Sequence, residues 1–386
     1  MVNDPFTLRL ALFYVALFGA IGIQLPFFPL WLAAKGLDAA TIGLALALPH
    51  LVRVAAIPVA TRLADRMGAL RGALIVASAG AVVTHAALGL TGGALALLLA
   101  IAVASIVLTP VVPLGDAYAL KGLGARGVAY GPVRLWGSAA FIAGNVGAGT
   151  AIGWIAAVDL IWLMVAAFAL LAAAALALAP VDVAPRAPAR RGAARHLLTS
   201  PAFLMMAVAI GLIQASHATY YGFSAVDWSR KGLDGTLIGA LWALGVVAEV
   251  VLFAFSARLP AAFGATTLIG IGAGSAVLRW AAMAVDPPVL LLPALQLLHG
   301  LSFGATHLGT MQYLARVAPE GGRATAQGDV ATVMGLVGAG ALWLSGLLYG
   351  GSGGLAYAAM ALAAAAGGAI VLMAARGGRA TCPDRS

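Results

Sequence analysis

Of 386 residues, 62% are hydrophobic and only 9% are charged, and the mean hydropathy is +1.02. Soluble domains carry roughly 25% charged residues, so composition excludes an ordinary soluble fold and makes the bilayer the expected solvent. The net charge of +9 comes without any stripe of basic and aromatic residues that would bind nucleic acid, and the single cysteine, Cys382, excludes an intramolecular disulfide and a cysteine-based metal site.

Taken in order, twelve apolar segments approach the roughly 20 residues that a spanning helix needs. They run 7–33, 40–62, 72–91, 94–118, 131–153, 157–179, 201–227, 236–258, 266–284, 289–316, 329–350 and 354–375. The first is long enough to span and has no small-residue cleavage site after a short core, so it predicts a membrane helix rather than a cleavable signal. The stretch 180–200, PVDVAPRAPARRGAARHLLTS, predicts an exposed linker by its Pro and Arg content. The expected fold is an all-α membrane protein of twelve transmembrane helices in two pseudo-symmetric six-helix bundles. Its expected parts are an N-terminal bundle over 1–179, a cytoplasmic linker over 180–200, a C-terminal bundle over 201–375 and a cytoplasmic tail over 376–386.

One stretch is written twice. Residues 35–68 and 231–264 align at a constant offset of 196 without a gap, and 12 of the 34 positions are identical. The matches include the opening Lys-Gly-Leu-Asp, the Ile-Gly pair (Ile42, Gly43 and Ile238, Gly239), the Arg-Leu pair and the closing Gly68 and Gly264. Self-similarity at half the chain length marks a duplication, and copies running in the same direction fit parallel repeats about an axis along the membrane normal.

Orientation follows from the basic residues. With a cytoplasmic N-terminus, that side receives 16 Lys and Arg, and the outside receives only Lys35, Arg230 and Lys231. This bias predicts an inner-membrane protein with both termini cytoplasmic, and it assigns the positive charge to topology and anionic lipid.

A charge inside the hydrocarbon costs about 2.5–3.5 kcal/mol on insertion scales, so each one needs a partner and a reason. Arg53, Arg134, Arg279 and Glu249 are such cases, with Asp116 near the end of the fourth segment. Arg53 and Glu249 occupy the same position in the two copies of the repeat. Two pseudo-symmetric helices thus carry opposite charges at similar depth, to pair across a central cavity, to grip opposite groups of a substrate, or to fix helix packing.

The run Arg62-Leu-Ala-Asp65-Arg66-Met-Gly68 between the second and third segments is similar to the Gly-x-Leu-Ala-Asp-Arg-x-Gly motif of the major facilitator superfamily, with Thr61 in place of its first glycine at one register. The resemblance implies a cytoplasmic gate at Arg62, Asp65, Arg66 and Gly68; a solvated charged turn is the plain alternative. Asp116 and Arg134, 18 residues apart, together with Arg279 and His299, 20 apart, resemble the lactose permease and phenylpropionate-transporter branch of that superfamily. Ser302 stands where that branch's permeases carry a proton-binding glutamate, and Phe141 where they carry a stacking tryptophan. The phrases Pro113 to Asp116, Tyr130 to Ser138, and Leu241 to Gly245 with Glu249 look closer to the phenylpropionate-transporter branch, which implies a small carboxylate, aromatic or other, as substrate.

The expected function is secondary active transport of a small organic solute by proton symport with alternating access, by a monomer without cofactor or metal. Expected substrate contacts are Arg53, Asp116, Arg134, Trp136, Phe141, His217 and Arg279. Expected proton-coupling residues are Glu249, Asp116, His299 and His307, because a carboxylate's proton affinity changes as water and counter-charge come and go and a histidine titrates near neutrality. For His217, His299 and His307 a packing role is the competing explanation. A sugar or nucleoside symporter and a drug exporter are the transport alternatives. An intramembrane enzyme is the alternative of another class, suggested by Gly350-Gly351-Ser352-Gly353, which an external loop explains better. Gly270-Ile-Gly272-Ala-Gly274 imitates a nucleotide-binding loop, but inside an apolar helix it predicts close helix packing. Asp329 is expected as a charge at the start of the eleventh helix, facing its dipole. Asp227, Arg230 and Lys231 are expected to form an external rim.

Overall fold

A computed structural model of the protein describes residues 4–181, 197, 199–260, 263–318 and 322–380. Most of the expected linker, Cys382 and the last six residues of the expected tail therefore lie outside the described residues. Every regular element among the described residues is helical. Among the described residues there are twelve long helices: α1 (Pro5–Ala34), α2 (Ala39–Met67), α3 (Leu70–Leu90), α4 (Ala94–Gly124), α5 (Tyr130–Ala151), α6 (Ala157–Ala177), α7 (Pro201–Arg230), α8 (Gly235–Arg258), α9 (Ala265–Ala284), α10 (Val289–Val317), α11 (Arg323–Gly351) and α12 (Gly353–Ala380). Eleven are long and apolar enough to cross a membrane. The exception, α5, has the length, but its apolarity is diluted by Arg134, Asn145 and a series of glycines.

The repeated Lys-Gly-Leu-Asp joins consecutive helices. Gly36 and Gly232 adopt φ of 83° and 84°, a left-handed conformation that ends α1 and α7 and that glycine adopts without steric cost. The Leu37 amide then donates to the Leu32 carbonyl, and that of Leu233 to the Trp228 carbonyl. Asp38 caps α2 by accepting from the Thr41 amide at 2.7 Å, and Asp234 caps α8 by accepting from the Leu237 amide at 2.9 Å. The identical residues of the duplication thus stop one helix and start the next.

The molecule divides into two compact units, residues 1–187 with 222–243, and residues 188–221 with 244–386. One boundary falls within the expected linker, and two further ones cut through α7 and α8.

In lipid, helices gain little from hydrophobic association and rely on close packing of small residues. In the first unit α1 and α5 touch backbone to backbone: a Cβ on Gly22 would collide with the Phe141 carbonyl, and one on Gly144 would lie 2.5 Å from the Gly19 carbonyl. The start of α8 packs on α5 in the same way, Gly235 against Gly149 and Gly239 against Asn145. The C-terminal end of α6 is capped by Arg71, which donates to the Leu178 and Leu176 carbonyls at 2.6 and 2.8 Å, and by the Tyr118 hydroxyl on the Ala179 carbonyl.

In the second unit Phe203, Met206, Ile210 and Ile213 of α7 form a buried core with Ile269, Ala273, Leu314, Ala326, Val330 and Val371. Gly272 of α9 lies against Thr306 of α10 so closely that a Cβ would clash, whereas a Cβ on Gly270 or Gly274 would meet nothing within 4 Å, so one glycine of the run makes the close packing. Two irregularities interrupt this unit. Helix α7 breaks at Ser216 and His217, and α10 contains a π-helical turn over Gly300–Ala305.

Candidate functional site

The first unit holds a cluster built from two helix faces. Tyr14 and Phe18 are one turn apart on α1, and Tyr130 and Arg134 are one turn apart on α5, so each pair shares a face. The Tyr14 and Tyr130 hydroxyls both donate to Oδ1 of Asp116 on α4, at 2.7 and 2.8 Å. The Arg134 guanidinium lies 3.6 Å from the centroid of the Phe18 ring and 5.5 Å from that of Tyr14. A guanidinium stacked on a ring keeps its in-plane donors for other partners. Among the described residues no ion pair joins Asp116 to Arg134. The structure links these two expected site residues through shared neighbours, Tyr14 above all, and not through a direct contact.

Phe141 stands two turns beyond Arg134 on α5, near the same face. Trp136 does not join the group. It is 59% exposed and lines an outward apolar groove with Leu8, Leu12, Val15 and Pro132. Arg53 is half-buried on α2 between Pro49 and Pro58, one turn from His50, whose Nδ1 is buried without a hydrogen-bond partner.

The second unit holds a chain of polar contacts centred on Arg279, which is fully buried. Its Nη1 lies 3.0 Å from His299 Nδ1, and its Nη2 donates to Gln296 Oε1 at 2.5 Å. The guanidinium also lies 4.5 Å from the ring centroids of both Tyr220 and Trp280. A guanidinium only donates, so Nδ1 of His299 accepts and the ring hydrogen sits on Nε2. That nitrogen faces Glu249 Oε2 at 3.7 Å, beyond direct hydrogen-bonding distance.

His217, fully buried at the break in α7, belongs to the same cluster. Its ring meets that of His299 edge-on with centroids 5.4 Å apart. A backbone carbonyl only accepts, so Nδ1–H of His217 donates to the Gln214 carbonyl at 3.1 Å, leaving Nε2 to accept from the Ser302 hydroxyl at 3.1 Å. The break is pinned as well by Trp280, whose Nε1–H donates to the Ser216 hydroxyl at 2.9 Å.

His307 is separated from these polar contacts. Phe303 stacks on both histidines, 5.2 Å from His299 and 6.3 Å from His307, and Phe253 packs 5.8 Å from the latter. Among the described residues His307 has no polar side-chain partner.

In the gate motif, Gly68 ends α2 at φ 61°, and its amide and that of Ala69 close on the Asp65 and Ala64 carbonyls. Arg62, Asp65 and Arg66 make no side-chain hydrogen bond or ion pair among the described residues. Lys231 and Asp227 form the expected rim contact at 2.7 Å. The dipole role expected of Asp329 needs correction. Helix α11 begins earlier, at about Arg323, so Asp329 lies beyond the first turn, where the terminal field has faded, and its Oδ2 is buried without a hydrogen-bond partner. Ser352 lies between α11 and α12, where its hydroxyl accepts from the Leu355 amide at 3.5 Å.

Sequence reasoning missed Tyr14, Phe18, Gln296 and the pairing of Ser302 with His217. The spacings Tyr14 to Phe18 and Tyr130 to Arg134 were visible signals. The partner helix of each was not.

Membrane-length helices that carry charged side chains within their apolar lengths define a multi-pass membrane protein. The chain belongs to the major facilitator superfamily: the model of the MFS_1 like family matches residues 7–359. It is 33% identical over 314 residues to the probable 3-phenylpropionic acid transporter of Escherichia coli (strain K12), covering 79% of this chain and 81% of that one. It is 30% identical over 325 residues to the maltose permease of Geobacillus stearothermophilus, covering 82% and 80%. A crystal structure of the nucleoside transporter NupG superposes with a TM-score of 0.82 over 96% of this chain and 98% of that one, at 16% identity, a likeness of fold. The protein is thus an integral membrane transporter and not an enzyme.

Proposed function

We propose that the protein carries a small aromatic carboxylate across a bacterial cytoplasmic membrane by proton symport, as a monomer with both termini cytoplasmic. The observation that carries this reading is Arg134, a guanidinium stacked on Phe18, with Asp116 engaged by two tyrosines. Such a site offers donors to a carboxylate and aromatic surface to the ring attached to it. Arg53 supplies a second cation, and Phe141 apolar contact. The 33% identity to a probable 3-phenylpropionic acid transporter supports the same class.

Glu249 is the proton-exchanging group in this reading. His299, oriented by Arg279, presents Nε2–H towards it, and water entering or leaving with each change of access alters the carboxylate's affinity for a proton. Arg62, Asp65, Arg66 and Gly68 form the cytoplasmic gate.

Counterflow in proteoliposomes against 3-phenylpropionate, maltose and nucleosides, with external pH followed separately during net uptake into unloaded vesicles, tests the proposal. Exchange of 3-phenylpropionate, and alkalinisation during its net uptake, are expected. Exchange of only maltose or nucleosides, or aryl acid transport without proton movement, would overturn it.

A further inference from the structure

We infer that Tyr14 and Tyr130 are positioning residues which tether Asp116 away from Arg134 and so keep the guanidinium open to an anionic ligand. The inference deepens, and rests on, the reading of Arg134 as the anion-binding cation.

The geometry forms two rungs between α1 and α5. In one, Tyr14 and Tyr130 meet edge-on with centroids 6.3 Å apart, and both hydroxyls converge on a single oxygen of Asp116. In the next, Phe18 and Arg134 lie face to face. The rungs are one helical turn apart, and Arg134 also lies over the edge of the Tyr14 ring at 5.5 Å. A half-buried carboxylate beside a half-buried guanidinium would ordinarily pair with it, because charge-assisted, bidentate contacts are the strong ones. Here the carboxylate spends one oxygen on two neutral donors from two different helices. The tyrosines satisfy the acid well enough for it to stay, and Tyr14 touches both groups, its hydroxyl on the acid and its ring 5.5 Å from the guanidinium.

Removal of both hydroxyls frees Asp116 to swing onto Arg134. The resulting internal ion pair competes with any external anion. Asp116→Asn carries no charge and cannot form that pair, so it should reverse the effect.

The test uses the full chain in proteoliposomes and two readouts. The first is the rate at which phenylglyoxal, an arginine reagent, labels Arg134, followed by peptide mass spectrometry; it needs no substrate. Tyr14→Phe with Tyr130→Phe should slow labelling about tenfold, the scale of one charge-assisted contact, and adding Asp116→Asn should restore it. The second is the KM for 3-phenylpropionate, which should rise in the double variant. Unchanged labelling in the double variant, or slowed labelling that Asp116→Asn fails to restore, would overturn the tether. If the double variant does not fold, Tyr130→Phe alone is read the same way, with a smaller shift expected and an unchanged rate counting against the inference. Labelling that behaves as stated in a protein that does not exchange 3-phenylpropionate would sink the substrate assignment and leave the tether standing.

Discussion

Arg279 donates from Nη1 to His299 Nδ1 across 3.0 Å inside the second unit. The guanidinium has no acceptor and keeps its proton, so this one bond decides which nitrogen of the histidine carries hydrogen. The consequence is measurable by nitrogen NMR of labelled histidine. His299 should show a bare Nδ1 and a protonated Nε2, and Arg279→Gln should release the ring into a mixture of tautomers. A protonated Nδ1 in the unaltered protein would contradict the orientation described.

Glu249 faces that Nε2–H at 3.7 Å. If it exchanges the coupling proton, Glu249→Gln should abolish accumulation driven by an imposed pH gradient, at least about tenfold in initial rate, the low end of what a positioned proton-transfer group contributes. Counterflow should survive. Loss of both together, with the protein still folded, would point to a substrate contact.

The close approach of α1 and α5 at Gly22 places a limit on side-chain size. Gly22→Leu should separate the helices at a cost of about 1–3 kcal/mol, as overpacking does, seen as a lower melting temperature in detergent. Because Tyr14 and Phe18 ride on the same helix, a rise in substrate KM should accompany the shift.

Asp38 caps α2 through the Thr41 amide, and that bond holds its carboxyl below the usual carboxylate range. A carboxyl depressed on folding contributes stability above its unfolded pKa, and the contribution is lost as pH falls through the lowered folded value. The first turn of α2 should therefore fray on acidification below about pH 4, measurable as faster exchange of the Ile42 amide, which donates to the Asp38 carbonyl. Asp38→Asn, an equally good cap, should remove this acid dependence.

Ser352→Ala should leave transport intact and cost about 1 kcal/mol or less, the value of an exposed helix cap. Any large loss of uptake would give the hydroxyl a role that its single bond to the Leu355 amide does not suggest.

The fold was legible because bilayer thickness sets a length that apolar runs report directly, and because Lys-Gly-Leu-Asp performs the same stop-and-start at two helix junctions. The residues of the candidate site were legible singly, since a charge in an apolar run stands out whatever surrounds it. Their partners were not. Tyr14 lies 102 residues from Asp116, and His217 lies 85 from Ser302, and no local periodicity encodes such pairings. Trp136 shows the opposite failure: two residues from Arg134, it falls on nearly the opposite side of α5 and faces outward. The replacement of an expected glutamate by Ser302 was noticed, but its meaning, a donor for His217, needed the third dimension.

The π-helical turn at Gly300–Ala305 sits between two histidines that share one aromatic column with Phe303. A turn of this kind holds one residue more than its α-helical equivalent. The turn therefore absorbs one residue. Deleting a single residue between His299 and His307 would rewind it into an ordinary α-helical turn and leave the helix beyond it in its present register, while the residues inside the turn, Ser302 and Phe303 among them, change direction. A homologue shortened by one at this place would keep both histidines where they are and change what lies between them, so gaps in an alignment at 300–305 are the places to look for a change of chemistry.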